Sequence, residues 1–297
     1  MMDITETAFE KQVSKSKLKN TLSMVLVYSV LVLWAFISIY MLFWVVNNSF
    51  RERSEILNDS FSLVTNPTAE NYRTAFGRLS REENMSIGRA YLNSLIISGS
   101  TVICVTILGG LAAYAMARYS FRFKKVLNFI FAGSLLFPAY TLIVPVFRMI
   151  QEIGLVNNPI GVIIPQTAVN LAFAIIILMG FIKNLPTEIE EAAYLEGYGV
   201  FSVFFRIVLP VTKPAFATVG IFTFLWSYND LFLQMSILRK RVSYPVSALL
   251  NEISSQFGTD FGLMCSATTI VVIPVLIVYL ILQKNIMKGL TAGAIKG

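Results

Sequence analysis

GVIIPQTAVNLAFAIIILMGFIKNLPTEIEEAAYLEGYGVFSVFFRIVLP, residues 161–210, places two different kinds of helix end to end. Residues 161–182 carry no charge, and a run of about 20 apolar residues is what a helix needs to cross a bilayer core. The remainder is charged and rich in small residues, yet still helical in pattern. Pro186 is a permitted first-turn residue, and Thr187 to Glu190 has the Thr-x-x-Glu spacing of a capping box. A helix is therefore predicted through residues 190–193, with Gly197 and Gly199 free to turn the chain after it. Phe201, Phe204, Phe205 and Val208 then fall at i, i+3, i+4 and i+7, one face of a second short helix. Pro210 bars that helix from continuing. The apolar stripe suits either packing against the protein's own spans or headgroups, or docking of another protein.

Outward from this stretch, five more apolar runs approach or reach spanning length. With 161–182 the set is 22–46, 92–116, 126–147, 161–182, 214–233 and 263–283. The chain of 297 residues is 56% hydrophobic and 14% charged, against about a quarter charged in soluble domains. The expected class is an all-α integral membrane protein with six transmembrane helices. Residues 1–21 form a polar N-terminal segment, and 22–46, too long for a signal-peptide core, reads as a retained anchor. A polar cap segment follows at 47–91, expected as short helices or strands. A five-helix core at 92–283 contains the loop 183–213, and the tail is 284–297.

Charge placement gives the orientation. Lys11, Lys15, Lys17 and Lys19 precede the first span, and Arg118, Arg122, Lys124 and Lys125 lie between the second and third without an acid. Lys284, Lys288 and Lys296 follow the sixth. Placing these faces in the cytoplasm puts the whole net charge of +7 on one side, with both termini inside. Arg239-Lys240-Arg241 is a local exception. This basicity is thus explained by topology, without nucleic acid.

Several function classes are excluded or disfavoured. The chain has no histidine, hence no imidazole metal ligand or general base, and no catalytic or metal site is expected. Cys104 and Cys265 have no metal-site spacing and read as small buried hydrophobes. No GxxxxGK[ST] phosphate loop is present, so ATP use by that mechanism belongs elsewhere. No Asp or Glu lies deep in a span, which disfavours an ion-driven secondary transporter.

Glu191-Ala192-Ala193, then Gly197, then Ile207-x-Leu209-Pro210 resembles the EAA loop of bacterial ABC-importer permeases at each defining position. Pro67-Thr68-Ala69-Glu70-Asn71-Tyr72, Asn93-Ser94 and Ala113-Tyr114-Ala115-Met116-Ala117-Arg118 resemble signatures of the carbohydrate-importer branch. Trp226-Ser227-Tyr228-Asn229-Asp230 resembles that branch's Trp-Asn pair, with Tyr228 in the tryptophan position. The tail at 289–297 resembles the ending of the maltose-importer-G-type subunit.

This resemblance implies the type I ABC-importer permease fold in a bacterial inner membrane. It also implies coupling to an ATPase through Glu190, Glu191, Ala192, Ala193, Leu195, Gly197, Phe201, Phe204, Ile207, Leu209 and Pro210, with Thr291, Ala292 and Gly293 reaching the ATPase as a tail. The implied partners are a second, related permease, two cytoplasmic ATPase subunits that bind ATP and Mg, an extracytoplasmic solute-binding protein and membrane lipid. No cofactor is bound by this chain itself.

A carbohydrate cargo needs hydrogen-bonding groups and aromatic faces inside apolar helices. Tyr140, Thr141, Gln166, Asn170, Tyr228, Asn229, Thr268 and Thr269 are the candidates, interhelical hydrogen bonding being the competing use. The rival cargo is another polar solute such as a glycerol phosphate, which would favour buried arginine or lysine; none is evident in the spans.

Overall fold

The computed structural model describes residues 3–81, 87–257 and 260–294, and among them every regular element is helical. In chain order these are α1 (Asp3–Ser49), α2 (Arg53–Asn58), α3 (Glu70–Arg81), α4 (Ile87–Arg118), α5 (Lys124–Ser134) and α6 (Ile143–Glu152). Then come α7 (Pro159–Lys183), α8 (Glu188–Leu195), α9 (Val200–Val203), α10 (Leu209–Val211), α11 (Lys213–Asn229), α12 (Leu231–Ile237), α13 (Val246–Phe257) and α14 (Phe261–Ala294).

Spans one, two and four are long unbroken helices, as the apolar runs require. Thr21–Ser49, Ile87–Arg118 and Pro159–Lys183 are each long and apolar enough to cross a membrane. Residues 22–46 leave their large side chains outside the packed core, Leu22 at 71% and Trp34 at 72% exposure. So large an apolar surface suits lipid or a partner helix rather than water.

The expected third span, 126–147, is not one helix. Its two halves, Lys124–Ser134 and Ala139–Glu152, meet at 99°. Pro138 causes the break, because its ring drives the preceding residue out of helical conformation and it has no N–H to give. The fifth span, expected to run to 233, stops at Asn229. Asp230 (ψ 89°) leaves the helix and its carboxylate accepts from the Leu233 N–H to start α12. A second bent pair lies before α11, where Val200–Val211 meets Lys213–Asn229 at 82°. Counting each bent pair as one span, five helical units among the described residues pass as membrane-crossing, and the apolar stretch Phe261–Ile277 of α14 is shorter than that standard.

The bundle is built on α4, which packs along α7 and α11, while α14 packs on α11 and α1. Glycines set the closest approach. A Cβ on Gly109 would sit 2.9 Å from Ala174 Cβ, and one on Gly110 would sit 2.7 Å from the Phe216 ring. Small residues at these crossings let apolar helices gain dispersion contact without a water-driven force.

The segment after α1 is a clamp made of side-chain bonds to backbone. Asn71 donates to Ser49 O (3.0 Å) and Arg51 O (2.8 Å), and Tyr72 Oη lies 2.7 Å from Ser49 Oγ. Arg51, 4% exposed, donates to Asp59 O and Ser62 Oγ. On α4, Asn93 donates to Val242 O and Tyr244 O, and Ser94 Oγ accepts from Val246 N. Four of the motif positions noted above, Asn71, Tyr72, Asn93 and Ser94, therefore hold neighbouring segments in place, and the cap is helical rather than stranded among the described residues.

Candidate coupling loop and transport cavity

Helix α8 opens on Glu188, Glu190 and Glu191, carboxylates that suit the positive end of a helix dipole. The predicted capping box does not form. Thr187 has helical backbone angles and no side-chain cap bond, and its carbonyl instead accepts from Glu190 N (2.9 Å) and Glu191 N (3.0 Å). The Glu190 carboxylate is directed elsewhere. Its Oε1 accepts from Arg118 Nε at 2.6 Å and Oε2 accepts from Tyr114 Oη at 2.9 Å. Arg118 also donates to Leu185 O at 2.9 Å, and Tyr114 Oη lies 2.9 Å from Tyr194 Oη. The Tyr119 hydroxyl, just past the end of α4, titrates above its ordinary range, chiefly through its bond to Tyr194 and then through burial.

The glycine turn follows the expected logic. Gly197 has φ +86°, its N–H bonds Tyr194 O, and Tyr198 N bonds Ala193 O. These are the paired bonds of a Schellman ending, which favours glycine at the left-handed position.

The second helix departs from expectation in two ways. A five-residue π turn, Phe204–Val208, separates α9 from α10, with Leu209 N–H reaching back to Phe204 O. Helix therefore continues through Pro210 to Val211, because the widened turn absorbs the residue that a regular helix would clash with. The turn also divides the apolar stripe. Phe204 and Val208 join Val203 in a core with Tyr114, Ala193, Ala215, Phe216 and Val219. Phe201 stays 69% exposed and Phe205 47%.

Of the coupling candidates, Glu190, Ala193 and Phe204 thus face inward, and Ile207 and Leu209 are half-buried. Glu191, Ala192, Leu195, Gly197, Phe201 and Pro210 face outward, Leu195 at 91% exposure. Thr291, Ala292 and Gly293 fall within α14, but their side chains lie outside the described residues.

A cavity of about 520 Å³ lies beside the two breaks, between the 134–146 segment, α7 and the α11–α12 joint. Tyr140, Gln166, Asn170 and Asn229 line it, as do Phe137, Phe173, Trp226, Ser227 and Asp230. Gln166 organises its wall. Its Nε2 donates to Asp230 Oδ2 at 3.0 Å, and its Oε1 accepts from Ser227 Oγ at 2.6 Å. Gln234 Nε2 donates to Ser227 O at 2.6 Å, and Ser247 Oγ donates to Gln234 Oε1 at 2.9 Å, carrying the network to α13. Asn170 donates back to Gln166 O at 2.7 Å.

The other sequence candidates stand apart from this wall. Tyr228 is 2% exposed, turned away from the cavity and stacked on Phe224, its buried hydroxyl without a partner among the described residues. Thr141 Oγ1 bonds Pro138 O, and Thr268 and Thr269 bond their own helix at Met264 O and Cys265 O. Trp226 takes the cavity position instead, its ring 4.9 Å edge-to-face from Phe173.

Residues 105–291, from the middle of α4 through the loop and into the C-terminal part of α14, match the family described as "Binding-protein-dependent transport system inner membrane component". The chain belongs to that family. It is a permease component of a transport system. This permease is 32% identical over 271 residues, 91% of its length and 88% of the other's, to the diacetylchitobiose uptake system permease protein NgcG of Streptomyces coelicolor. It is 31% identical over 256 residues, 86% of its length and 91% of the other's, to the trehalose transport system permease protein SugB of Mycobacterium tuberculosis. A crystallised bacterial ABC transporter involved in alginate import shares the fold at TM-score 0.60 and 16% identity, over 89% of the permease and 94% of that chain.

Two features of the permease escaped sequence reasoning. The end of α4 carries the partner of Glu190, and only the odd burial of a charged pair at a span end signals it. Asp230, Ser227 and Trp226 join the cavity because α11 stops at Asp230; an acid at the end of an apolar run was the available signal.

Proposed function

We propose that the permease forms half of the translocation pathway for a neutral oligosaccharide, with a second, related permease supplying the other half. The observation that carries this is the cavity beside the two helix breaks. It combines the faces of Trp226, Tyr140, Phe137 and Phe173 with amides from Gln166, Asn170 and Asn229. Its volume of about 520 Å³ falls in the usual range for ligand sites of roughly 300–1,000 Å³. Apolar ring faces and a few amides suit a sugar, which presents C–H faces and a rim of hydroxyls. The carbohydrate named for NgcG and for SugB supports the same class. A glycerol phosphate is the weaker alternative, since no Lys or Arg lines this wall and Asp230 would repel an anion.

In this reading six helices cross the membrane with both termini in the cytoplasm. The loop from Glu188 to Val211 then meets one of two ATPase subunits, where ATP and Mg are bound, through Leu195, Phe201 and Ala192. A solute-binding protein delivers the sugar from outside. Reconstituting the permease with its partner chains and measuring uptake of labelled diacetylchitobiose, trehalose, maltotriose and glycerol 3-phosphate tests the assignment. Uptake of at least one neutral saccharide is expected; uptake of glycerol phosphate alone would overturn it.

A further inference from the structure

Glu190 belongs by position to the docking loop, but by contact it belongs to the membrane bundle. It is 5% exposed, both of its oxygens are occupied, and its partners Tyr114 and Arg118 come from the last two turns of α4. The Arg118 and Glu190 side chains are 12% and 7% exposed, with Nη2 and Oε1 2.6 Å apart. The same guanidinium donates to Leu185 O, so it grips the chain on the approach to α8 as well as on it.

We propose that Glu190 is a positioning residue: it ties α8 to the end of α4, so that displacement of the docked loop is carried into the helix on which the bundle is built. The proposal rests on the reading that the outward face of α8 meets an ATPase. The physical warrant is the difference between a buried ion pair and an apolar contact. Apolar surfaces slide over one another at small cost. Separating a buried pair strands a desolvated charge, so the two elements move as one. The fork geometry of arginine adds direction to the link. A buried pair of this kind contributes little to stability relative to well-packed apolar residues, which makes transmission the better account of its presence. The arrangement also explains the division of two adjacent acids. Glu190 is turned in, and Glu191 is turned out on the face offered to a partner.

The other end of the tether is equally well placed. α4 packs along both α7 and α11, the helices that supply Gln166, Asn170, Trp226 and Asn229 to the cavity. A shift at Arg118 therefore reaches the cavity walls through one rigid helix.

The test uses the complete reconstituted complex with its binding protein. Leu195→Cys, on the exposed face of α8, reports docking by disulfide cross-linking to a cysteine on the ATPase. The ratio of ATP hydrolysis with and without the binding protein reports coupling. Glu190→Gln is expected to keep the cross-link while losing stimulation by about tenfold, within the span usual for coupled sites. A wild-type ratio in Glu190→Gln overturns the proposal. Should Glu190→Gln fail to assemble, Tyr114→Phe decides, since it removes a single hydroxyl: a severalfold loss of stimulation supports the tether and an unchanged ratio overturns it. Absence of the Leu195→Cys cross-link in otherwise native protein would instead sink the docking reading beneath it.

Discussion

Trp226 and Tyr228 are two residues apart on one helix and have opposite environments. Trp226 is 46% exposed on the cavity wall, and Tyr228 is 2% exposed with its hydroxyl unpaired among the described residues. Covering about 50 Å² of indole with a sugar face contributes about 1.2 kcal/mol at ~25 cal/mol per Å². Trp226→Ala should therefore raise the KM for saccharide uptake roughly eightfold with the complex still assembled, as read from uptake kinetics. Tyr228→Phe removes a buried donor that has no partner among the described residues, so the melting temperature of the purified protein should hold or rise, by the equivalent of about 1 kcal/mol. A fall in stability would mean the hydroxyl has a partner. These two side chains also mark what the sequence could convey. Aromatic and amide residues in an apolar run announce a polar site, but which of two neighbours faces it depends on helix rotation. Rotation is fixed by packing against α4, α14 and α7, beyond the reach of spacing within α11.

Among the elements, the glycine turn was readable because its requirement is local. Gly197 stands at φ +86° with no atom within 4 Å of the place a Cβ would occupy, so any cost of substitution is backbone conformation alone. That cost is about 1–2 kcal/mol for an ordinary L-residue and small for asparagine, which tolerates the left-handed region. Gly197→Val should open the end of α8 and speed proteolytic nicking of the loop roughly 5–30-fold, while Gly197→Asn stays close to native. Equal nicking rates in the two would show that the turn is held by something other than its φ. The break in span three was partly readable. Pro138, Pro145, Pro165 and Pro274 inside apolar runs all suggest kinks or broken helices that could shape a cavity. The break falls at Pro138, while Pro165 and Pro274 lie inside continuous helices. The stop at Asp230 was less readable, because hydropathy averaged over 214–233 carries across a single polar residue. The π turn after Val203 had no sequence signal beyond Pro210, whose presence inside a helix it accommodates.

At the scale of the whole molecule, the apolar runs and the charge imbalance make independent claims, and the second is the one still open to direct measurement. Hydropathy requires membrane burial but is indifferent to which face points inward. The lysines and arginines supply the direction, since basic residues favour the cytoplasmic side of short loops. Lys124 and Glu191 lie on one predicted face and Glu70 and Lys240 on the other; Lys124 is half-buried and the other three are exposed. Cysteines placed singly at these positions, with Cys104 and Cys265 replaced by serine or alanine, can be challenged in intact cells with a membrane-impermeant maleimide. Glu70→Cys and Lys240→Cys should label from outside, while Lys124→Cys and Glu191→Cys should label only after permeabilisation. The informative position is Lys240, because Arg239-Lys240-Arg241 is the one basic cluster that the charge rule alone would draw inward. Structure argues against the rule here. Arg239 and Lys240 N–H groups both bond Asn157 Oδ1, Arg239 lies over the Phe147 ring at 4.6 Å, and Arg241 pairs with Glu252. That cluster is neutralised in part and fixed to the α6–α7 connection, so its charge acts locally instead of orienting the chain. Labelling of Lys240→Cys only after permeabilisation would reverse that conclusion, and labelling of Lys124→Cys and Glu191→Cys from outside would overturn the assignment of the coupling loop to the cytoplasm.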